Sequence, residues 1–422
     1  MTTLTDPPKE SFRLSMLIYD TRYRSMTIQC IALICFMLAA GWLINNTLVN
    51  LNTLGKPIDF GFFTDPAGYD INQRLLDYNS RDTHLRASFL GLLNTLVVAV
   101  LGCITATILG VVIGVLRLSK NWLVARLMTV YVEMFRNVPV LLWIVLIMAI
   151  LIETLPSPRR FRGDEPEATM KFFDSMAFTN RGFYFPEPLF SRSLGDINLF
   201  GESSLRFAIS LDLLAFALVL GLSIFAIRKV TKRANAIQEA TGVRPATWYI
   251  NLGILVVPTS ILLVILGFHL GYPALKGANF QGGTYMRNSL IALWLALSLY
   301  TAAFIAEIVR GGILAISKGQ TEAAGALGMR PNRIMSLVVL PQAMRVIIPP
   351  LISNYLNLTK NSSLAIAVGY MDITGTLMGI TLNQTGRELE TLLLGMLVYL
   401  IISLSISGAM NWYNKRVKLV ER

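Results

Sequence analysis

Long apolar runs separated by polar segments dominate the chain. A helix needs about 20 apolar residues to cross a bilayer core, and eight stretches meet that length: residues 28–48, 88–116, 123–155, 207–227, 249–270, 289–309, 343–368 and 392–412. The pattern predicts an all-α polytopic membrane protein. The first run is too long for the apolar core of a signal peptide and reads as an uncleaved anchor. Two polar connections are long, 49–87 and 156–206. Both are rich in Pro, Gly, Asn and aromatic residues, with no long amphipathic period. They are expected to cap the helices or to dock a partner on the outer side.

Composition agrees with the pattern. Of 422 residues, 54% are apolar and 15% charged, against about 25% charged in soluble domains. A cytosolic enzyme, a nucleic-acid binder and a disordered chain are thereby excluded. The formal charge of +12 acquires meaning only when mapped onto the loops. On the side of the termini, the connecting segments with the edge residues Arg126 and Arg345 hold 21 Lys and Arg against six acids; the opposite loops hold 14 Lys and Arg against 15 acids. Basic loops stay in the cytoplasm, so both termini are expected to be cytoplasmic. The basic clusters can also meet anionic membrane lipid. Cys30, Cys35 and Cys103 are scattered within spans, and His84 and His269 are isolated, so no metal or catalytic constellation is legible.

One inner loop carries specific chemistry. It reads Ser317-Lys-Gly-Gln320-Thr-Glu322-Ala323-Ala324-Gly325-Ala-Leu327-Gly328-Met-Arg-Pro331 and runs on to Val338-Val-Leu340-Pro341. Ser317 and Gln320 have capping-box spacing, while Gly328 suits a left-handed helix end with a proline shortly after. The spacing predicts a short surface helix. It is nearly uncharged, so another protein could approach its backbone closely.

These residues resemble the EAA loop of ATP-binding cassette (ABC) importer permeases: Glu-Ala-Ala, three residues, Gly, nine residues, then Ile-x-Leu-Pro, with Val338 in place of Ile. The flanks are similar to polar amino-acid permeases of the His/Glu/Gln type. They are the 298–313 segment around Ala306-Glu307 and Arg310-Gly311-Gly312, Lys318-Gly319-Gln320, Lys360-Asn-Ser-Ser363-Leu364-Ala365, Gly91-Leu-Leu-Asn94-Thr95 and Phe135-Arg136-Asn137-Val138-Pro139. The enlarged chain most resembles the larger permease subunit of general L-amino acid importers, the AapQ/BztB type.

The resemblance implies a type I importer fold (MetI-like) with a five-helix core. On that reading residues 1–27 form a cytoplasmic arm, 28–48 an extra span and 49–87 a periplasmic loop. The core comprises 88–155 and 286–412, including the EAA loop 317–341. Residues 156–285 are an insertion with a periplasmic loop and two spans, and 413–422 a cytoplasmic tail. An even number of inserted spans preserves the orientation of every later span.

No Gly-x-x-x-x-Gly-Lys-Ser/Thr phosphate loop occurs in the chain. The chain is read as a transport subunit without catalysis of its own, with ATP and Mg held by a partner ATPase dimer. Gln320, Glu322, Ala323, Ala324, Gly325, Leu327 and Gly328 are expected to engage that ATPase. The resemblance also implies a second, paralogous permease, a periplasmic amino-acid-binding protein and an L-amino acid substrate. The expected location is the bacterial inner membrane. An ion-coupled secondary transporter is the alternative; such folds usually show repeated halves, and none is visible.

Ionisable groups within spans need a partner, water or a function. Glu133 and Arg136 are three residues apart, just before Pro139, which is expected to break the helix. They can pair with each other or meet substrate. Glu307 can take a substrate ammonium or pair with Arg310. Asn94 and Thr95 can line a pocket or tie helices together. Lys360, with Ser362 and Ser363, can meet a substrate carboxylate or a helix C-terminus.

Overall fold

A computed structural model describes residues 15–417 other than 164 and 202. Part of the arm (1–14) and of the tail (418–422), with Asp6, Glu10 and Glu421, lies outside the described residues. The chain divides into two compact units, residues 1–60 and 61–422. In the first, α1 (Met16–Tyr19) precedes α2 (Thr21–Thr53). Phe36, Leu38 and Trp42 of α2 are all exposed within the chain. The length and apolar composition of α2 are those of a membrane span.

The second unit contains α3 (His84–Leu116), α4 (Trp122–Asn137), α5 (Val140–Thr154), α6 (Leu211–Thr241), α7 (Trp248–Leu266) and α8 (Asn288–Leu314). The short α9 (Lys318–Ala326) and α10 (Pro331–Ile334) follow, then α11 (Leu340–Asn361), α12 (Ile373–Gly375), α13 (Leu382–Thr385) and α14 (Glu388–Val417). Eight helical segments of the described chain are long and apolar enough to span a membrane. The centre is α8, whose Leu293, Ala296, Leu297 and Ile305 are fully buried.

The pairing of α3 with α8 follows from side-chain size. Gly102, Ala106, Gly110 and Gly114 recur every fourth residue, which lets backbones approach closely. A Cβ on Gly110 would lie 2.6 Å from the Ile305 side chain, and one on Gly114 would lie 2.7 Å from the Ala306 carbonyl.

Three expected spans change form. The 123–155 run is two helices, because α4 stops at Asn137 and Pro139 precedes α5 in extended backbone. The 343–368 run is α-helical only to Asn361. There the Ser362 hydroxyl bonds the Thr359 carbonyl at 2.7 Å and Ser363 bonds Lys360 at 2.8 Å. The chain tightens to a 3₁₀ segment and ends at Gly369, which takes φ +67°. The helix begun in the 207–227 run starts at Leu211 and continues to Thr241, so most of the basic loop after it is helix.

Run length and period predict no strands, yet the structure contains short ones. β1 (Ala177–Thr179), β2 (Gly182–Phe185), β3 (Glu187–Phe190), β4 (Asp196–Leu199), β5 (Phe207–Ser210), β6 (Phe268–Gly271), β7 (Ala274–Lys276), β8 (Asn279–Gln281) and β9 (Thr284–Arg287) are each three or four residues long. That is too short for alternation to stand out. They pair antiparallel as β1-β2-β9, β3-β6, β4-β5 and β7-β8. Tyr184 stacks on Tyr285 at 4.7 Å and lies 5.2 Å from Phe280, giving this subdomain its own aromatic core. Asp212, which falls inside the 207–227 run, belongs to its edge: it accepts from the Ser193 hydroxyl at 2.6 Å and the Leu194 amide at 2.9 Å.

Candidate functional site

α9 ends as the sequence predicts. Gly328 has φ +77°, the Gly328 amide reaches the Gly325 carbonyl at 2.9 Å, and Met329 reaches Ala324 at 3.3 Å. This double closure is a Schellman end. The other terminus differs: Ser317 makes no side-chain cap bond, so the expected capping box with Gln320 is not formed. The Gln320 amide instead bonds the Ser317 carbonyl at 3.1 Å in a tight first turn. Ala324 is buried and holds the helix to the protein. Gln320, Glu322, Ala323, Gly325, Leu327 and Gly328 are exposed. Leu327 is 83% exposed, a large apolar side chain presented at the tip.

Past α10, a π-helical stretch (Met335–Val339) joins α11, with the Leu340 amide bonding the Met335 carbonyl. Pro341 has no amide to donate, and the helix accommodates it by widening one turn.

Glu307 is held by two arginines. Its carboxylate accepts from Arg117 at the C-terminal end of α3 and from Arg310 at 2.6 Å within α8. The Arg117 side chain is only 9% exposed. Of the two roles open to Glu307, the geometry realises the pairing one, extended by a partner that spacing does not suggest. A substrate ammonium would have to displace a guanidinium.

Asn94 and Thr95 likewise tie helix to loop. Asn94 donates to the carbonyls of Gln73 and Met371, both at 2.8 Å, while the Tyr370 hydroxyl donates to the Asn94 carbonyl at 3.1 Å. The Thr95 hydroxyl donates to the Gly91 carbonyl at 2.9 Å and accepts from the Ile373 amide at 3.1 Å. Both residues are buried. Both Asn94 amide hydrogens and the Thr95 hydroxyl are engaged with backbone groups, the helix-tying alternative of the two.

Gly91 is required by the same seam: a Cβ there would lie 2.0 Å from Thr376 Oγ1 and 2.9 Å from the Asp372 carbonyl. Asp372, fully buried, caps α12 through the Gly375 amide at 2.9 Å and accepts from the Tyr399 hydroxyl of α14 at 3.0 Å. Sequence reasoning assigns Asp372 no role, although an Asp three residues before Gly375 fits a helix cap. Nearby, Tyr69 hydrogen-bonds Thr381 at 3.3 Å, and burial pushes its phenol up to about 12.

The Glu133–Arg136 pair is not formed among the described residues. Glu133 accepts from Asn137 at 3.3 Å, one turn on, and the Arg136 guanidinium lies over the Phe304 ring at 5.4 Å. Phe304 offers a π face where Glu133 offers only an exposed carboxylate.

Lys360 is exposed on the last turn of α11, whereas Ser362 is buried against the Thr359 carbonyl. Ser353 and Asn357 are also exposed, four and three residues apart from one another and from Lys360, and form one polar helical face with it. Sequence reasoning misses that face, although its helical period is visible in the residues.

An apolar multi-span bundle with a nearly uncharged surface helix defines a membrane transport subunit. Residues 106–419 match the family of binding-protein-dependent transport system inner membrane components, and the chain belongs to that family.

Over its full length it is 60% identical to all of the glutamate/glutamine/aspartate/asparagine transport system permease protein BztB of Rhodobacter capsulatus. It is 42% identical, over 98% of this chain and 96% of the other, to the general L-amino acid transport system permease protein AapQ of Rhizobium johnstonii. A solved chain titled as an amino acid ABC transporter with histidines aligns at 16% identity and TM-score 0.43, covering 79% of this chain and 95% of that one. Family membership does not favour the ion-coupled alternative.

Proposed function

We propose that the chain is the membrane subunit of an ABC importer that moves L-amino acids inward by alternating access. The single observation that carries the coupling role is α9, exposed on one side, nearly uncharged and tipped by Leu327. A helix intended only for water would carry more charge. On this reading Gln320, Glu322, Ala323, Gly325, Leu327 and Gly328 meet a separate ATPase dimer that holds ATP and Mg, with Ala324 as the inward anchor. This chain then carries no catalysis of its own.

The substrate class rests on the full-length similarity to amino-acid permeases. The paralogous partner rests on the 28% identity to permease BztC over 38% of the chain. The excess of inner-loop Lys and Arg supports cytoplasmic termini in the bacterial inner membrane, with a periplasmic binding protein delivering substrate to the strand-bearing side. Residues 156–285 interrupt a core made of 88–155 and 286–412.

Within the membrane, the polar face of Ser353, Asn357 and Lys360 is the better substrate path. Ser363 flanks that path by sequence, and Glu133, with its carboxylate exposed on α4, is a further candidate. Glu307, Asn94 and Thr95 hold the core together.

ATP-dependent uptake of L-glutamate into proteoliposomes, with ATPase, second permease and binding protein supplied, tests the reading. Uptake abolished by Leu327→Asp while the ATPase still hydrolyses ATP is the expected result. Uptake indifferent to changes at Leu327 and Glu322 would overturn the coupling role.

A further inference from the structure

The strand-bearing subdomain and the ends of two core helices enclose a cleft of about 530 Å³, within the ~300–1,000 Å³ range of small-ligand sites. Its walls include Asn180 and Arg181 beside β2, Arg287 at the end of β9, Asn288 and Ser289 opening α8, and Ile152 of α5. Among the described residues, no Asp or Glu lines it.

Two cations are brought together by the sheet. Gly182 pairs with Arg287 in the β2–β9 ladder, which sets Arg181 next to it, and the Tyr285 hydroxyl holds the Arg181 carbonyl at 2.9 Å. A side chain at Gly182 would collide with Tyr285 at 2.4 Å, so the approach depends on glycine. The Arg287 guanidinium has no acidic partner among the described residues, and Arg181 reaches only the Ala278 carbonyl, at 3.4 Å.

Three further features fit the same ligand. The 27-residue α8 begins here with no side-chain cap, so its amides and dipole favour an anion. Asn288 is 2% exposed; its Nδ2 donates to the Thr179 carbonyl at 3.3 Å, but its Oδ1 has no hydrogen-bond partner. Asn180 Oδ1 is also buried without one. Buried acceptors left unpaired are costly, and a cationic donor would satisfy them.

We propose that this cleft binds a zwitterionic α-amino acid. Its carboxylate meets Arg287 and the start of α8, its ammonium meets Asn288 and Asn180, and Arg181 favours a second carboxylate on the side chain. The site rests on the amino-acid transport reading above and adds a station on the strand-bearing face, apart from the polar face of α11.

Protection from thiol modification reads this site alone. In a chain with Cys30, Cys35 and Cys103 changed to Ala, Ile152→Cys is assembled into the complete transporter. A membrane-impermeant maleimide is then applied without ATP or binding protein. L-glutamate should slow modification, while glutarate, which lacks the ammonium, and γ-aminobutyrate, which lacks the α-carboxylate, should not. Arg287→Gln should raise the protecting concentration about tenfold or more, Arg287→Lys less. Arg287 and Arg181 lie in loop and strand ends, so these variants retain the helical core.

Absence of protection in a transporter that performs ATP-dependent uptake overturns the site and leaves the transport reading standing. Protection by glutarate equal to that by L-glutamate also overturns it. Failure of the complete system to import any amino acid overturns the transport reading itself.

Discussion

Gly91→Ala should loosen the seam between α3 and the 369–376 segment. The new methyl would lie 2.0 Å from Thr376 Oγ1, 2.9 Å from the Asp372 carbonyl oxygen and 3.1 Å from its carbon, where unstrained carbon contacts sit at about 3.5–4.0 Å. Rotating the Thr376 side chain away would relieve the first contact but break its 2.8 Å bond to the Asp372 carbonyl, at about 1 kcal/mol. The backbone contact would remain, and overpacking of this kind costs about 1–3 kcal/mol. Together these amount to about 2–4 kcal/mol.

Thr376→Ala alone removes one hydrogen bond and should cost about 1 kcal/mol. Because it also removes the atom nearest the new methyl, the double variant should be no worse than Gly91→Ala. That leaves a coupling of about 1–2 kcal/mol in the favourable direction. Thermal unfolding of the detergent-solubilised transporter, tracked by fluorescence size exclusion, ranks the four forms. A neutral Gly91→Ala, or strict additivity in the cycle, would refute the reasoning.

The remaining contacts make further predictions. Glu307→Gln leaves Arg117 buried without its charge partner and should cost about 3 kcal/mol of stability, with Arg117→Gln restoring part of it. Substrate affinity in the surviving protein should stay unchanged, and a KM effect without a stability effect would return Glu307 to the substrate path. Lys360→Gln, at an exposed position, should leave the unfolding temperature unaltered and raise the KM for L-glutamate about tenfold; an unchanged KM removes Lys360 from the path. Asp372→Asn and Tyr399→Phe should each destabilise by about 1–3 kcal/mol and act non-additively in a double-mutant cycle. Additive effects would show that the 3.0 Å contact between them does not link α14 to the 369–376 segment.

What the sequence discloses and what it hides divide by the range of the interaction. Apolar run length is local, so all eight spans are countable, and so are the break at Pro139 and the left-handed end at Gly328. The strands escape because three or four residues carry too little period, although Phe183-Tyr184-Phe185 places a buried Tyr184 between two half-buried neighbours. The roles of polar groups in the spans are the least legible, since each depends on a partner far along the chain. Glu307 reads as a pair with Arg310 from spacing alone, yet Arg117, 190 residues away, completes the site.

The same holds for Gly91, Asn94 and Thr95, whose spacing marks a motif without saying what it touches. Their partners prove to be mostly backbone groups, of Gln73, Met371, Asp372 and Ile373, joined by the Tyr370 and Thr376 side chains. Backbone partners lack a residue-type signature, so no pattern of side-chain chemistry along one sequence could announce them. A polar residue in an apolar span therefore reports that something nearby needs a hydrogen bond. Whether that need belongs to a ligand or to a broken helix is decided by counting its satisfied bonds. By that count Asn94 and Thr95 tie α3 to the backbone of residues 371–373, while Asn288 is buried with its oxygen unpaired in the cleft proposed above to take an amino acid.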